Sequence, residues 1–395
     1  MAIAGENVFF RHVYLLRYLG VTIPSEGNPR GKTIRIYFLF IQIMLTINTI
    51  FQLLTIFLPD HELSDSAISL VLFLVSAVTQ IKLLIVQMNI LSLARLFEEL
   101  DTPGASNNTT DMLRIVNQIS RIYVAILVTL LGGWLAYPWL TGNFQLPMPY
   151  WLPFKINNIY KYLVVYSFVS IILAIECYTQ EAVDTLLLLM AGQICRRLYQ
   201  IRLALVTLGT EEPLRKRRWK RDKPPVDRLG LSVVKVAALS RDETLLKEFI
   251  REHVDIIRLI RTFDVILDDI FLAQVMQSTI VSTMYFFLAS KSRDLVKDFP
   301  RLFVVLVATY IQFYIYCWLG QEITQHSDEI HRTLYLSEWY KCREKIQKSM
   351  VIIETFTKTH FKLEGGHLFS INLRTFVLVL RESFSYFMVL RAIFN

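Results

Sequence analysis

Between Ile36 and Pro59 the chain carries no charged side chain over 24 residues. A bilayer core takes about 20 apolar residues in helix, so a run of this length reads as a membrane span. The pattern repeats. Ser66 to Ala94 is broken only by Lys82, and Ile122 to Phe154 is charge-free for 33 residues. The latter is too long for one helix, and its later part, rich in Pro, Gly and Asn, reads as a loop, so the third span should end near Leu140. A fourth span starts around Ile159, a fifth covers Ile270 to Ser290 and a sixth Leu302 to Gln321. The last apolar stretch, His367 to Phe394, makes a seventh, although Arg374, Arg381, Glu382 and Arg391 interrupt it. Composition agrees: 53% of the 395 residues are hydrophobic and only 19% charged, too little polar surface to cover a soluble body of this size. The basic residues are spread between apolar runs and form no single patch, which argues against nucleic-acid binding.

The Lys and Arg distribution sets the orientation. Thirty-two lie on the side that holds the N-terminus and six on the other, and the richer side is cytoplasmic. The expected fold is therefore all-α, a polytopic membrane protein with seven transmembrane helices, N-terminus cytoplasmic and C-terminus extracellular. Its expected divisions are a cytoplasmic segment over 1–35 and spans one to four over 36–192, with a cytoplasmic extension of the fourth. A basic cytoplasmic loop and helix follow over 193–265, then spans five and six over 266–321. A cytoplasmic contact region over 322–366 precedes the last helix over 367–395. Cys177, Cys195, Cys317 and Cys342 all fall away from the oxidising side and are expected as free thiols. The sequons at Asn107 and Asn108 would lie in the cytosol, out of reach of glycosylation. The block from Arg215 to Lys223 reads as a solvated loop near anionic lipid headgroups.

Ionisable groups inside spans are costly and therefore informative. Lys82, near the inner end of the second span, can snorkel to the interface or pair with Glu176 in the fourth. Gly365-Gly366 should end a helix running from Met350 to Leu363 and release the last span. The second outer loop, with Phe144, Tyr150, Trp151 and Phe154, can be a lid over the outer mouth or a segment lying at the lipid interface. In the last helix Val389 and Ile393 share a face at i, i+4, with Tyr386 at i−3. Copies of that helix around an axis would set an apolar ring able to stop ions by dewetting; contact with a neighbouring helix is the plainer alternative.

At this point the residues become familiar. The run from Val377 to Leu390 (VLVLRESFSYFMVL) resembles the closing motif of insect odorant receptors, and Tyr316 to Glu322 followed by Ser337-Glu338-Trp339-Tyr340 resembles that family's exit from the sixth span. The resemblance implies a ligand-gated, non-selective cation channel in the plasma membrane of olfactory sensory neurons, assembled as a tetramer. Each subunit would give its last helix to a central pore and hold one ligand pocket. The family's common co-receptor has a longer insert between spans four and five, so the modest insert here points to an odorant-specific subunit in a heterotetramer with co-receptor subunits. The partners implied are that co-receptor, a small volatile ligand and membrane lipid. No cofactor is called for. Arg391 departs from a polar Gln of the co-receptor; it sits about 200° around the helix from Val389, which allows it to point away from the axis.

A volatile ligand needs a closed apolar cavity with few polar groups, reachable from outside. The outer halves of the spans offer Ser69 and Phe73, then Gly133, Trp134 and Tyr137, then Tyr166 and Ser170. Spans five and six add Thr283, Tyr285, Phe286 and Tyr310, and Gly132-Gly133 would open room beside Trp134. Two other classes stand as alternatives. A G-protein-coupled receptor would need its N-terminus outside, and the chain lacks Asp-Arg-Tyr after span three and a Pro after Cys317-Trp318-Leu319. A secondary transporter would show inverted repeats or broken helices, and only Pro138 interrupts a span. No Gly-x-Ser-x-Gly or His-Glu-x-x-His speaks for an enzyme.

Overall fold

A computed structural model describes residues 19–21, 30–57, 63–100, 110–140, 146–150, 152, 154, 158–206, 208, 230–291, 295–357 and 361–394, with only the backbone described at several helix ends and at Tyr137. Asn107, Asn108, Phe144, Trp151 and the basic block at 215–223 lie outside these residues. The described elements are almost all helical: α1 (Arg30–Phe57), α2 (Leu63–Met88), α3 (Ile90–Leu100), α4 (Thr110–Leu140) and α5 (Ile159–Val206). Then come α6 (Gly230–Lys291), α7 (Leu295–Leu336), a 3-10 turn at Trp339–Lys341, α8 (Glu344–Thr357), and α9 (Leu373–Phe394). Two short strands, β1 (Glu364–Gly365) and β2 (Phe369–Ser370), pair antiparallel just before α9.

Among the described residues five helical stretches are long and apolar enough to cross a membrane: Ile34–Phe57, Ser66–Met88, Arg114–Ala136, Ile159–Val206 and Leu302–Lys341. The expected fifth and seventh spans fall on α6 and α9, which do not meet that measure. Gln274, Gln277, Ser278, Ser282 and Thr283 make the C-terminal part of α6 polar, yet all five are buried. Burial against other helices keeps such groups out of hydrocarbon, where they would be costly. By contrast α1 turns Ile36, Leu39, Phe40, Ile43, Ile50 and Phe57 outward, a broad apolar surface that suits hydrocarbon and not water.

At the centre of the bundle, α5 is buried on every side from Ala182 to Cys195, as expected of a helix surrounded by others. Packed around it are α4, α7, α6 and α2. Within that sheath lies Asp184, 4% exposed. Lys82 of α2 approaches its Oδ1 at 3.2 Å, and the Tyr316 hydroxyl of α7 donates to the same oxygen at 2.5 Å. Oδ2 accepts from the Tyr123 hydroxyl of α4 at 2.8 Å and from the Gln312 amide of α7. The Lys82 ammonium also lies 4.9 Å from the Tyr316 ring centroid, within cation–π range. One carboxylate thus ties together four helices.

This corrects two expectations. Lys82 neither snorkels, being 1% exposed, nor pairs with Glu176. α2 and α5 run parallel in a register that sets Thr79 against Gln180 and Lys82 against Asp184. Glu176 lies two turns further along, about 12 Å away at 1.5 Å per residue, and accepts from Asn48 of α1 at 2.8 Å instead. The helix before the last span also ends earlier than expected, at Thr357. Gly365-Gly366 belongs to the hairpin, and His367 lies in its turn, so α9 begins only at Leu373.

The hairpin is clasped to α6 and α7. The Glu364 N–H donates to Asp264 at 3.1 Å and the His367 N–H to Asp268 at 3.2 Å. Gly366 and His367 both have positive φ, 60° and 54°, which glycine meets freely and histidine at some cost. Gly320 is small for a different reason: a Cβ there would lie 2.2 Å from the Ile371 carbonyl oxygen. The clasp sets where α9 starts and holds it parallel to α6.

Two outcomes follow. Lys82→Met should cost about 3–5 kcal/mol, since it strands a buried carboxylate. The same change in an Asp184→Asn background should cost far less, as read by thermal unfolding of the purified protein; equal costs would contradict the hub. At the clasp, burial pushes the Asp264 carboxyl up to about 6 from 3.8, opposed by the Glu364 N–H and aided by Asp268. Because the folded value is raised, its contribution to stability is present in full below the unfolded value and is lost as pH rises through about 6. Melting temperature should therefore rise between about pH 7.5 and about pH 5.5, by less in Asp264→Asn than in the wild type.

Candidate functional site

Above the Asp184 hub the helices part. A cavity of about 100 Å³ opens between α2, α4, α5, α6 and α7. That is the same order as the ~150 Å³ engineered cavity known to hold benzene in another protein. Its wall is apolar: Leu72 and Val75 of α2, Leu127, Leu130 and Leu131 of α4, Leu173 of α5, and Val304, Val305 and Ala308 of α7. Its lower end is polar, with Tyr123, Glu176, Gln180, Gln277 and Gln312. An apolar chamber with a few convergent polar groups is the usual form of a small-molecule site.

Trp134 and the segment 146–150 close the top. The Trp134 indole N–H donates to the Pro147 carbonyl at 2.9 Å, which draws the loop down and sets Met148, 2% exposed, into the cavity roof. Tyr150 continues the contact inward: its hydroxyl donates to Asn48 Oδ1 at 2.6 Å. The Asn48 amide in turn donates to Glu176. Residues 146–150 therefore act as a lid tied to the floor by the chain Tyr150–Asn48–Glu176. Of the two expectations for this loop, the lid is the one this part follows.

The residues singled out from sequence distribute unevenly. Trp134 lines the cavity. Ser69 is buried one turn from Leu72, and Phe73 is half-buried beside it. Gly133 and Gly132 lie on the outward face of α4, with open space where a Cβ would go. Side-chain placement at Tyr137 is outside the described residues. Tyr166 donates to the Leu135 carbonyl at 2.6 Å and meets the Trp139 ring edge-on, pinning α5 to α4. Ser170 is half-buried on the same helix.

The candidates on α6 and α7 lie outside the cavity lining, and Thr283, Phe286 and Tyr310 meet the last helix. Phe286 packs on Phe384 and Phe387, and Tyr285 meets Phe286 and Phe303. The Thr283 hydroxyl bonds within α6 and lies 3.5 Å from the Ser383 carbonyl of α9. Tyr310 meets Phe376 edge-on. Tyr386, Val389 and Ile393 are all exposed on α9, on the side away from α6.

Sequence reasoning passed over the polar floor. Gln180, Gln277 and Gln312 each interrupt an apolar stretch, and an amide in such a place needs a partner as a charge does, at lower cost. That signal was available. Met148 was not, because nothing local says that a loop methionine turns inward.

With the geometry in hand, the comparisons are consistent with one another. The family model described as 7tm Odorant receptor matches residues 61–384. Odorant receptor 94a of Drosophila melanogaster is 24% identical over 284 residues, covering 69% of this chain and 65% of that protein. Odorant receptor Or1 of Anopheles gambiae is 24% identical over 292 residues, with the same shares. The matched stretch thus spans a little under two thirds of these relatives' length. The odorant receptor coreceptor of Harpegnathos saltator is 22% identical over 145 residues, 37% of this chain and 30% of its own. Among solved structures, the insect olfactory receptor OR5 from Machilis hrabei in complex with eugenol superposes with a TM-score of 0.75 over 98% of both chains, at 14% identity, a likeness of fold. These relatives are receptors, not enzymes, and their membrane-embedded fold is shared by the apolar helices here. The chain belongs to the 7tm odorant receptor family.

Proposed function

We propose that this chain is the odorant-specific subunit of a ligand-gated, non-selective cation channel, opened when a small volatile molecule fills the cavity above Asp184. In this reading the chain crosses the membrane seven times with α6 and α9 as its fifth and seventh spans, N-terminus in the cytosol and C-terminus outside. It works in the plasma membrane of olfactory sensory neurons as a heterotetramer with co-receptor subunits. Co-receptors are among the chain's relatives, while the relatives matched over the longer stretches are named as odorant receptors.

The observation that carries the reading is the position of α6. Gln277 on this helix lines the cavity. Two turns further on, Thr283 and Phe286 touch Ser383, Phe384 and Phe387 of α9. A ligand that shifts α6 therefore has a direct packed connection to the last helix, without any long relay. Away from that contact, Tyr386, Val389 and Ile393 of α9 stay exposed in the single chain. Apolar surface on a helix of this charge content calls for partner subunits around a pore. Val389 and Ile393 would form the apolar constriction there, with Tyr386 one turn inward.

Ligand can bias opening only by the difference in its affinity for the closed and open states. Cavity filling that favours an outward shift of α9 and hydration of the Val389/Ile393 ring satisfies that condition. Recordings from cells expressing the chain with co-receptor test it. Val389→Ala and Ile393→Ala should each raise basal current or alter conductance; if neither quantity changes, the gate lies elsewhere.

A further inference from the structure

The floor of the cavity has a polarity of its own. Several of its amides already make bonds: Gln180 donates to Thr79 at 2.7 Å, Gln312 donates to Asp184, and Asn48, just behind, donates to Glu176. The Tyr123 hydroxyl is likewise given to Asp184. Among the described side chains that line the cavity, the buried polar atom left without a hydrogen-bond partner is an acceptor oxygen. Gln277 is 2% exposed, lines the cavity, and its Oε1 is buried without any hydrogen-bond partner. Glu176 lines the same end and, as a carboxylate, can only accept.

A buried acceptor left unmatched is costly, and native structures rarely leave one without reason. The wall around it is mostly leucine, valine and alanine, and the donors that also line the cavity, the Thr309 hydroxyl and the Cys177 thiol among them, leave the Gln277 oxygen without a bond. A ligand can. From this we infer that the cavity selects small molecules carrying a hydrogen-bond donor, the hydroxyl of a small alcohol or phenol on an apolar body, with Gln277 Oε1 as the acceptor that reads it. The inference rests on the proposed ligand role of this cavity and adds its chemical preference. Ethers and hydrocarbons of the same shape would fill the apolar wall and leave the Gln277 oxygen unpaired. Because Gln277 is on α6, the hydrogen bond would also pull on the helix that carries Thr283 and Phe286 to α9.

The experiment pairs each alcohol with its methyl ether over short linear and aromatic skeletons. Half-maximal concentrations for current are read in cells expressing the chain with co-receptor. For wild type, the alcohol of each responding pair should act at about tenfold lower concentration or better, in line with the cost of one unsatisfied buried group. Gln277→Leu should bring the pair to parity by weakening the alcohol alone. Equal potency in wild type, a preference that survives Gln277→Leu, or a panel without any active alcohol would overturn the inference. So would an amine preferred over the alcohol, since that would assign recognition to Glu176. A separate variant, Leu72→Trp, fills the apolar wall. If it silences every pair at normal surface density, the cavity is the site even where the alcohol preference fails. If it leaves all responses intact, the site reading itself is wrong.

Discussion

The arrangement depends on one buried carboxylate. Asp184 stands on the most enclosed stretch of the central helix, almost wholly shielded from solvent. A charge there is tolerable only if its lone pairs are filled, and they are, by Lys82, Tyr123, Gln312 and Tyr316 from three surrounding helices. Such a set is stable only when all members are present, because a half-satisfied network in low dielectric is worse than none. The hub therefore fixes the relative depth of α2, α4, α5 and α7. It also sets where the cavity ends, since Tyr123 and Gln312 are both hub ligands and floor residues.

Above that level the chemistry changes within one or two turns. Leu72, Leu127, Leu131, Val304 and Ala308 leave an apolar chamber, roofed by Met148 and capped by the Trp134–Pro147 bond. Below and to the side, the hairpin clasped by Asp264 and Asp268 fixes where α9 starts. The rigid parts, hub and clasp, thus flank a softer one, in which aromatic rings of α6 and α9 meet without strong polar ties. Packing of that kind can exchange between arrangements more readily than a satisfied ion network, which is why the ligand reading places movement at α9 and not at α5.

How far the sequence speaks for this differs by residue. Charge-free runs located α1, α2, α4, α5 and α7, because exclusion of charge from hydrocarbon is local and strong. Partners were harder to read. The sequence offered Glu176 as the partner of Lys82, whereas the actual partner, Asp184, follows from the parallel register of α2 and α5, and register is a tertiary property. The weight given to Gly133 beside Trp134 overlooked helix phase: neighbours in sequence are about 100° apart, so a helix that buries Trp134 points the adjacent glycine away. Aromatic candidates on α6 were sought at the cavity, whereas Phe286 and Tyr285 pack towards α9 and α7. The amides of the floor were visible as interruptions in apolar stretches, but their pairing depends on five helices at once.

In the proposed reading, polarity in the membrane underlies both the access of ligand to the lidded end and the exit of the last helix at the outer surface. Antibody labelling of small tags at residue 1 and residue 395, on intact and then permeabilised cells, measures it directly. The account expects the carboxyl-terminal tag to stain intact cells and the amino-terminal tag to stain only after permeabilisation. Staining of the amino-terminal tag on intact cells would contradict it.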